Sequence, residues 1–149
     1  MIFFFSLLVT LLFVCFFANR KVSWLEIYAS TFFADYIRLK VDSYLAYKNN
    51  YYYYFDGGIS YYSILFVFLF GSVNYLIINW YPYNENKGTQ IFYVLSWTAW
   101  SIFIEIASVM GGFFHYNTWE LIYSLIWYPC LIIILLLNIK VLRYLKKIE

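Results

Sequence analysis

Glu105 is the side chain best placed to do chemistry, because it is the single charged residue in an apolar run from Ile91 to Met110. At 1.5 Å of rise per residue it would lie about 7 Å from the middle of a helix that crosses a bilayer. A carboxylate at that depth costs on the order of 3 kcal/mol or more unless it is protonated or paired. We therefore expect Glu105 to face protein or a water-filled cavity rather than lipid.

Small or polar residues accompany Glu105 at helical spacing, in steps of three and four along the chain. They are Thr98, Ser101, Ser108 and Gly112. Two interpretations of this stripe stay open. It indicates an ion, proton or substrate site, or it indicates a hydrogen-bonded carboxyl that fastens one helix to another where small residues permit close packing.

A second polar stripe lies earlier in the chain, where Thr31, Asp35, Arg38 and Asp42 come in steps of four, three and four. The other faces of this segment are apolar, which predicts a helix with one polar face. Arg38 can bridge Asp35 and Asp42 on its own helix. It can equally reach Glu105, and the spacing does not choose between the two.

The connection after the Glu105 run is short and aromatic. It contains His115, Tyr116 and Trp119, and Ser124 and Tyr128 come one helical turn apart just after it. His115 is either a group that titrates near neutral pH or a hydrogen-bonding side chain at the membrane edge. The predicted polar intramembrane site is therefore Asp35, Arg38, Glu105, His115, Tyr116, Trp119, Ser124 and Tyr128.

The composition sets the surroundings of this site. Apolar residues make up 64% of the 149 residues and charged residues 12%, against roughly 45–50% and about 25% in soluble domains. Such a chain could not cover a globule with polar surface, and it is too apolar to be disordered. The net charge of +2 is too small to indicate a nucleic-acid partner. The composition indicates an integral membrane protein whose main partner is the lipid bilayer.

Runs of about 20 apolar residues are long enough to cross a bilayer as helices. We predict one all-α domain over 1–149, a polytopic membrane bundle with five transmembrane helices at approximately 1–19, 22–47, 59–80, 89–114 and 119–142. The second run carries most of the internal charge, so four spans plus one interfacial helix is the alternative. The first run lacks a basic leader and a small-residue cleavage site, which favours a retained span over a signal peptide.

Basic residues near the ends of spans indicate the cytoplasmic side. Five spans place seven of them on one side, namely Arg20, Lys21, Lys87, Lys140, Arg143, Lys146 and Lys147, and three on the other, namely Arg38, Lys40 and Lys48. This asymmetry predicts a cell-membrane protein with its N-terminus outside and its C-terminus in the cytoplasm. The tyrosines at 51–54 are interpreted as part of an aromatic belt at the interface, with a stacking or ligand role as the alternative.

Several strings of residues resemble a known family. They are Asp35-Tyr-Ile-Arg-Leu-Lys40, Tyr54-Phe55, Asn79-Trp-Tyr-Pro82-Tyr83, and Gly112-Phe-Phe-His-Tyr116-Asn-Thr-Trp119 after Glu105, with Tyr123-Ser124 and Tyr128-Pro129. Over about residues 25–130 the chain is similar to a family of small uncharacterised integral membrane proteins common in endospore-forming Gram-positive bacteria. The order of Glu105 and the Gly-x-x-Tyr element also resembles small membrane carotenoid cyclases, whose further Pro-x-Glu elements are missing here.

Chemical motifs of common enzyme classes are missing from the sequence. There is no nucleophile–base pair or phosphate-binding glycine loop, and Cys15, Cys130 and the single His give no metal-ligand spacing. We predict no cofactor and no metal, and a non-enzymatic membrane component or subunit that works with another membrane protein or a second copy. The alternatives are a transporter subunit for a small solute or ion that uses Glu105, and a lipid- or isoprenoid-modifying enzyme.

Overall fold

A computed structural model describes residues 2–55 and 63–148, and 79% of these described residues are helical. The predicted all-α class is confirmed. The helices are α1 (Ile2–Phe17), α2 (Trp24–Asp42), α3 (Ser63–Trp80), α4 (Lys87–Met110) and α5 (Leu121–Ile148). A π-helical segment, Ser43–Lys48, extends α2, and two short strands, β1 (Tyr52–Tyr54) and β2 (Phe114–Tyr116), complete the described part.

Side-chain caps fix where two of the helices begin. The Ser23 hydroxyl accepts from the Glu26 backbone N–H at 3.2 Å, and the Glu26 carboxylate accepts from the Ser23 N–H at 2.6 Å. This reciprocal capping box starts α2 two residues later than the predicted span. Asn86 caps the Thr89 N–H at 2.9 Å, so α4 begins at Lys87 rather than at 89.

The predicted fourth span extends to 114, but α4 ends at Met110. Gly112 adopts a positive φ of 67°, a conformation that glycine reaches without steric cost, and it turns the chain out of the helix. The next residues pair with β1 in an antiparallel ladder whose register joins Tyr52 to Tyr116. The tyrosine run predicted as an interface belt is thus partly a strand, in which Tyr52 is buried.

The other helix bounds differ less from the prediction. The first helix ends at Phe17 instead of 19, and the fifth begins at Leu121 and runs to Ile148 instead of 142, so the basic tail stays helical. The third helix is described from Ser63 onwards, and the predicted start of the span at 59 lies outside the described residues.

The five helices surround a common interior. Helix α1 packs on α3, α3 packs on α2 and α5, and α5 also packs on α2 and α4. Phe3 of α1 approaches Gly111 at the end of α4 so closely that an added β-carbon there would lie 3.1 Å from the Phe3 β-carbon. Every helix therefore has one face toward the same central space.

Several polar side chains are buried, while many large apolar side chains are exposed. The buried polar residues are Ser30, Asp35, Asp42, Ser72, Asn79, Thr98, Glu105, Ser108 and Ser124. Large apolar side chains such as Trp24, Phe32, Phe92, Phe103 and Ile126 are exposed on the outer faces. Among the described helices, α4 and α5 are long and apolar enough to cross a membrane. Buried polar groups and an apolar exterior fit a bilayer environment.

The end of the bundle that holds the loop between α3 and α4, which we call the inner end, is densely packed. Its apolar core consists of Val22, Ile77, Ile78, Tyr81, Ile132, Leu135, Leu136 and Ile139. Arg143 of α5 donates to Glu26 of α2 at 2.5 Å and covers the Tyr83 ring at 3.9 Å. Burial raises the pKa of the Tyr83 hydroxyl to about 12, although the nearby Arg143 opposes the shift. These contacts close the inner end.

Candidate functional site

The Glu105 carboxylate lies at the centre of a cluster of hydroxyl groups. Glu105 is buried, with only 4% of its surface exposed. Oε1 accepts hydrogen bonds from the Ser124 hydroxyl, at 2.8 Å, and from the Tyr116 hydroxyl, and Oε2 accepts one from Tyr128. An ionised carboxylate offers about four lone-pair positions. Three of them are therefore filled by neutral donors from β2 and α5.

Local structure brings these donors to Glu105. Ser124 and Tyr128 are four residues apart on α5, so they lie on one face of that helix. Tyr116 reaches the carboxylate because β2 folds back over the end of α4. The Trp119 indole N–H donates to the Ser124 hydroxyl at 3.0 Å, which leaves that hydroxyl hydrogen free to point at Glu105. Trp119 thus orients the Ser124 hydroxyl, which in turn binds the Glu105 carboxylate.

Arg38 joins two acids on its own helix. Its Nε lies 3.4 Å from Asp35 Oδ1 and its Nη1 lies 3.1 Å from Asp42 Oδ2, the two pairs that the spacing predicts. The guanidinium carbon lies 5.1 Å from the centre of the Phe70 ring, within the range of a cation–π contact. Because both acids already bind Arg38, its charge is matched without Glu105.

Asp42 is not among the predicted site residues, yet it is as central as Glu105. Its Oδ1 accepts from the Tyr52 hydroxyl at 2.7 Å and from the Tyr54 hydroxyl at 3.5 Å. Its position on the stripe with Asp35 and Arg38 is the signal in the sequence. The tyrosine partners could not be predicted, because they depend on the pairing of β1 with β2.

A cavity of about 260 Å³ connects the two acid clusters. All five helices and both strands contribute to its wall, which is mostly apolar. The polar lining includes Arg38, Asp42, Glu105, Ser124 and Tyr128, with the Trp119 indole beside them. The strands cover the end of the cavity that is opposite the inner core.

Three of the predicted site residues stand away from this wall. Asp35 binds Arg38 but does not line the cavity. Tyr116 contacts Glu105 from the covering strand. The His115 ring stacks on Tyr53, with 4.8 Å between ring centres and 15° between planes, and its Nε2 lies 3.1 Å from the Gly112 carbonyl oxygen. His115 therefore belongs to the strand ladder rather than to the Glu105 cluster.

The tyrosines of the ladder are held in their donor form. Burial is the main cause that raises the pKa of the Tyr52 hydroxyl, and the Asp42 and Glu105 carboxylates raise it further. Burial and the Glu105 carboxylate likewise raise the pKa of Tyr116. Both phenols therefore stay protonated at neutral pH and keep donating. Tyr52 donates to Asp42, and its strand partner Tyr116 donates to Glu105, so both acids lie at the same end of the cavity.

Comparison with known proteins gives no relative from which a role could be carried over. No family model, curated protein sequence or solved structure matches this chain. Within residues 2–55 and 63–148 no group of three or more His, Cys, Asp or Glu side chains is placed to hold a metal ion. The chemistry of the site therefore consists of buried charge, hydroxyl donors and a mostly apolar cavity.

Proposed function

We propose that this chain is a multi-pass protein of the cell membrane that crosses the bilayer five times, with its first residue outside and its last in the cytoplasm. Helices α4 and α5 have the required length and polarity. The apolar segments Ile2–Phe17 and Ile64–Trp80 are shorter, and α2 exposes Trp24 and Phe32 on its outer face. The seven-to-three asymmetry of basic residues supports the orientation.

Reporter fusions test this topology. Fusions after Lys21, Lys87 and Lys147 should all report the cytoplasm, because each of these positions comes after an odd number of spans from an outside N-terminus. If α2 lay at the interface instead of crossing, the Lys21 fusion alone would report the exterior. An exterior signal from the Lys87 or the Lys147 fusion would contradict the proposed orientation.

The resemblance of residues 25–130 to the small integral membrane proteins of endospore-forming Gram-positive bacteria supports a second proposal, which is membership in that family. The motif residues include Glu105, Tyr116, Trp119 and Tyr128, all of which contribute to one hydrogen-bonded cluster or to its cavity. This proposal agrees with a membrane location and carries no assigned activity.

We further propose that the protein is a non-enzymatic membrane component. It holds a binding site built around the Glu105 carboxylate in the outer half of the bilayer. The observation that carries the proposal is the set of partners around Glu105, which among the described residues are three hydroxyl groups. A catalytic carboxylate pair would need a second acid in contact with Glu105. The exposed apolar faces of the bundle leave room for a membrane-protein partner or a second copy of the chain.

A transporter subunit is the main competing function, and the inner core argues against it. A transport path needs access to the cavity from both sides of the membrane. The buried residues Ile77, Ile132 and Leu135 contribute both to the cavity wall and to the inner apolar core. The cavity therefore ends on closely packed side chains rather than on a channel.

Cysteine labelling distinguishes the two functions. In a variant with Cys15 and Cys130 replaced by serine, Ser101→Cys places a thiol on the cavity wall. A charged, membrane-impermeant maleimide added to the cytoplasmic face of inverted vesicles should leave this thiol unmodified. Lys87→Cys, at the exposed start of α4 beside the inner loop, is the matched control and should react fully. Rapid labelling of Ser101→Cys from the cytoplasmic face would support a transport path. It would overturn the proposal of a binding site that is closed toward the cytoplasm.

A further inference from the structure

The charges around the cavity favour one class of ligand. This inference rests on the proposed function, in which the Glu105 carboxylate forms a binding site. Asp42 and Glu105 line the cavity, Asp35 lies behind Arg38 and away from the wall, and Arg38 is the one cation that pairs with any of these three acids among the described residues. Glu105 has hydroxyl partners but no cationic partner there. The site therefore has more negative than positive charge in a setting where unpaired charge is costly.

The unfilled hydrogen-bonding positions of the two acids on the wall also favour a cationic donor. Asp42 and Glu105 each accept three hydrogen bonds, which leaves each about one unfilled lone-pair position. Arg38 directs two of its five N–H groups to its acids, and the tyrosine hydroxyls already donate. Both acids can thus accept a further donor. Together with the excess of negative charge, this pattern favours a cationic ligand over an anionic one.

Two further polar side chains on the wall, Asn74 of α3 and Ser101 of α4, have no hydrogen-bond partner among the described residues. The neighbouring Thr98 and Ser108 hydroxyls, by contrast, donate to backbone carbonyls of their own helix. Ser101 lies one turn from Glu105 on the same face. Free polar groups in a cavity are places where a ligand can form hydrogen bonds.

Aromatic rings form much of the remaining wall. They are Phe33, Tyr52, Tyr54, Phe70, Trp100, Phe113, Phe114, Trp119, Trp127 and Tyr128. Aromatic faces attract cations, and the attraction is stronger where water is excluded. The position of Arg38 over the Phe70 ring shows that this wall already accommodates one cation in this way.

We propose that the cavity binds a small organic ammonium ion, with its N–H groups directed to the Glu105 carboxylate and its apolar body against the aromatic wall and the inner core. A metal cation fits less well, because the described residues offer no three-ligand cluster. The volume of about 260 Å³ lies just below the usual range for ligand pockets, roughly 300–1,000 Å³. A single short alkyl or aryl chain therefore suits the space.

Binding of hexylammonium to the full chain in nanodiscs of zwitterionic lipid tests the proposal. Tryptophan fluorescence is the readout, because Trp100, Trp119 and Trp127 line the cavity. We expect saturable binding of hexylammonium, with hexanol at least about tenfold weaker, since a hydrogen bond between charged groups contributes more than a neutral one. Hexanoate, which has the same chain and the opposite charge, should not bind.

Variants separate binding in the cavity from partition into lipid. Glu105→Gln should weaken hexylammonium binding at least about tenfold, and the exposed Glu120→Gln is its matched control. Ser101→Phe fills the cavity without removing a partner of Glu105, so it should also abolish binding even if Glu105→Gln fails to fold. Equal affinity for hexylammonium and hexanol, or unchanged binding in Ser101→Phe, would overturn the proposal. Neither result would alter the fusion or labelling outcomes on which the proposed function depends.

Discussion

Replacing Glu105 with alanine should lower the free energy of unfolding by about 3 kcal/mol or more. The change removes one acceptor from three hydroxyl donors, those of Tyr116, Ser124 and Tyr128. A buried donor without a partner costs about 1–3 kcal/mol, and water in the adjacent cavity recovers part of the sum. Unfolding by a denaturing detergent, monitored by circular dichroism, measures the loss.

Glu120→Ala is the control for this prediction, because it removes the same side chain from an exposed position just before α5. Its effect should stay within about 0.5 kcal/mol. If both variants unfolded at the same detergent fraction, the hydroxyl cluster around Glu105 would not contribute to stability, and its role as the centre of the fold's polar interior would have to be abandoned.

Arg38→Ala should be destabilising by about 3–5 kcal/mol, the usual cost of leaving buried charge without its partner. Asp35 and Asp42 are both buried, and Arg38 is the cation that contacts them. Asp42 keeps its tyrosine donors in this variant, but two carboxylates remain close together with no positive charge between them. The same detergent titration provides the measurement.

Lys40→Ala serves as the matched control, since Lys40 is an exposed cation on the same helix. Adding Asp35→Asn to Arg38→Ala should recover part of the lost stability, because it removes one of the two uncompensated charges. A double variant less stable than Arg38→Ala alone would show that Asp35 contributes through contacts other than the ion pair.

The sequence contains enough information to predict the helices and part of the Glu105 cluster. Tyr116, Ser124 and Tyr128 bind Glu105, whereas Asp35 and Arg38 bind each other and His115 stacks on Tyr53. Charge-free runs set the approximate helix positions, and the cost of a carboxylate in an apolar span requires partners for Glu105. Ser124 and Tyr128 can be placed at the same level as Glu105 because helices α4 and α5 are joined by a short connection and run in opposite directions. These inferences rest on local spacing and on an energy that is large in any fold.

The two strands could not be predicted in the same way. A three-residue strand has no periodicity to detect, and Tyr52 and Tyr116 pair across 64 residues of chain. Without the ladder, the sequence gives Asp42 no tyrosine donors and His115 no reason to stack on Tyr53. The predicted helix ends also differ by a few residues, because caps such as Asn86 and turns such as Gly112 depend on single side chains and dihedral angles.

The order in which the chain is made gives α2 an unusual dependence on segments that are synthesised after it. Glu26 of α2 pairs with Arg143, and Ser30 of α2 pairs with Asn138, and both of these partners lie on α5. Domains are generally built from the N-terminus onwards during synthesis. The helix that carries the most charge is thus synthesised early and gains its last partners late. A ribosome that stalls before α5 therefore leaves the N-terminal half of α2 with two polar side chains, Glu26 and Ser30, that lack these partners.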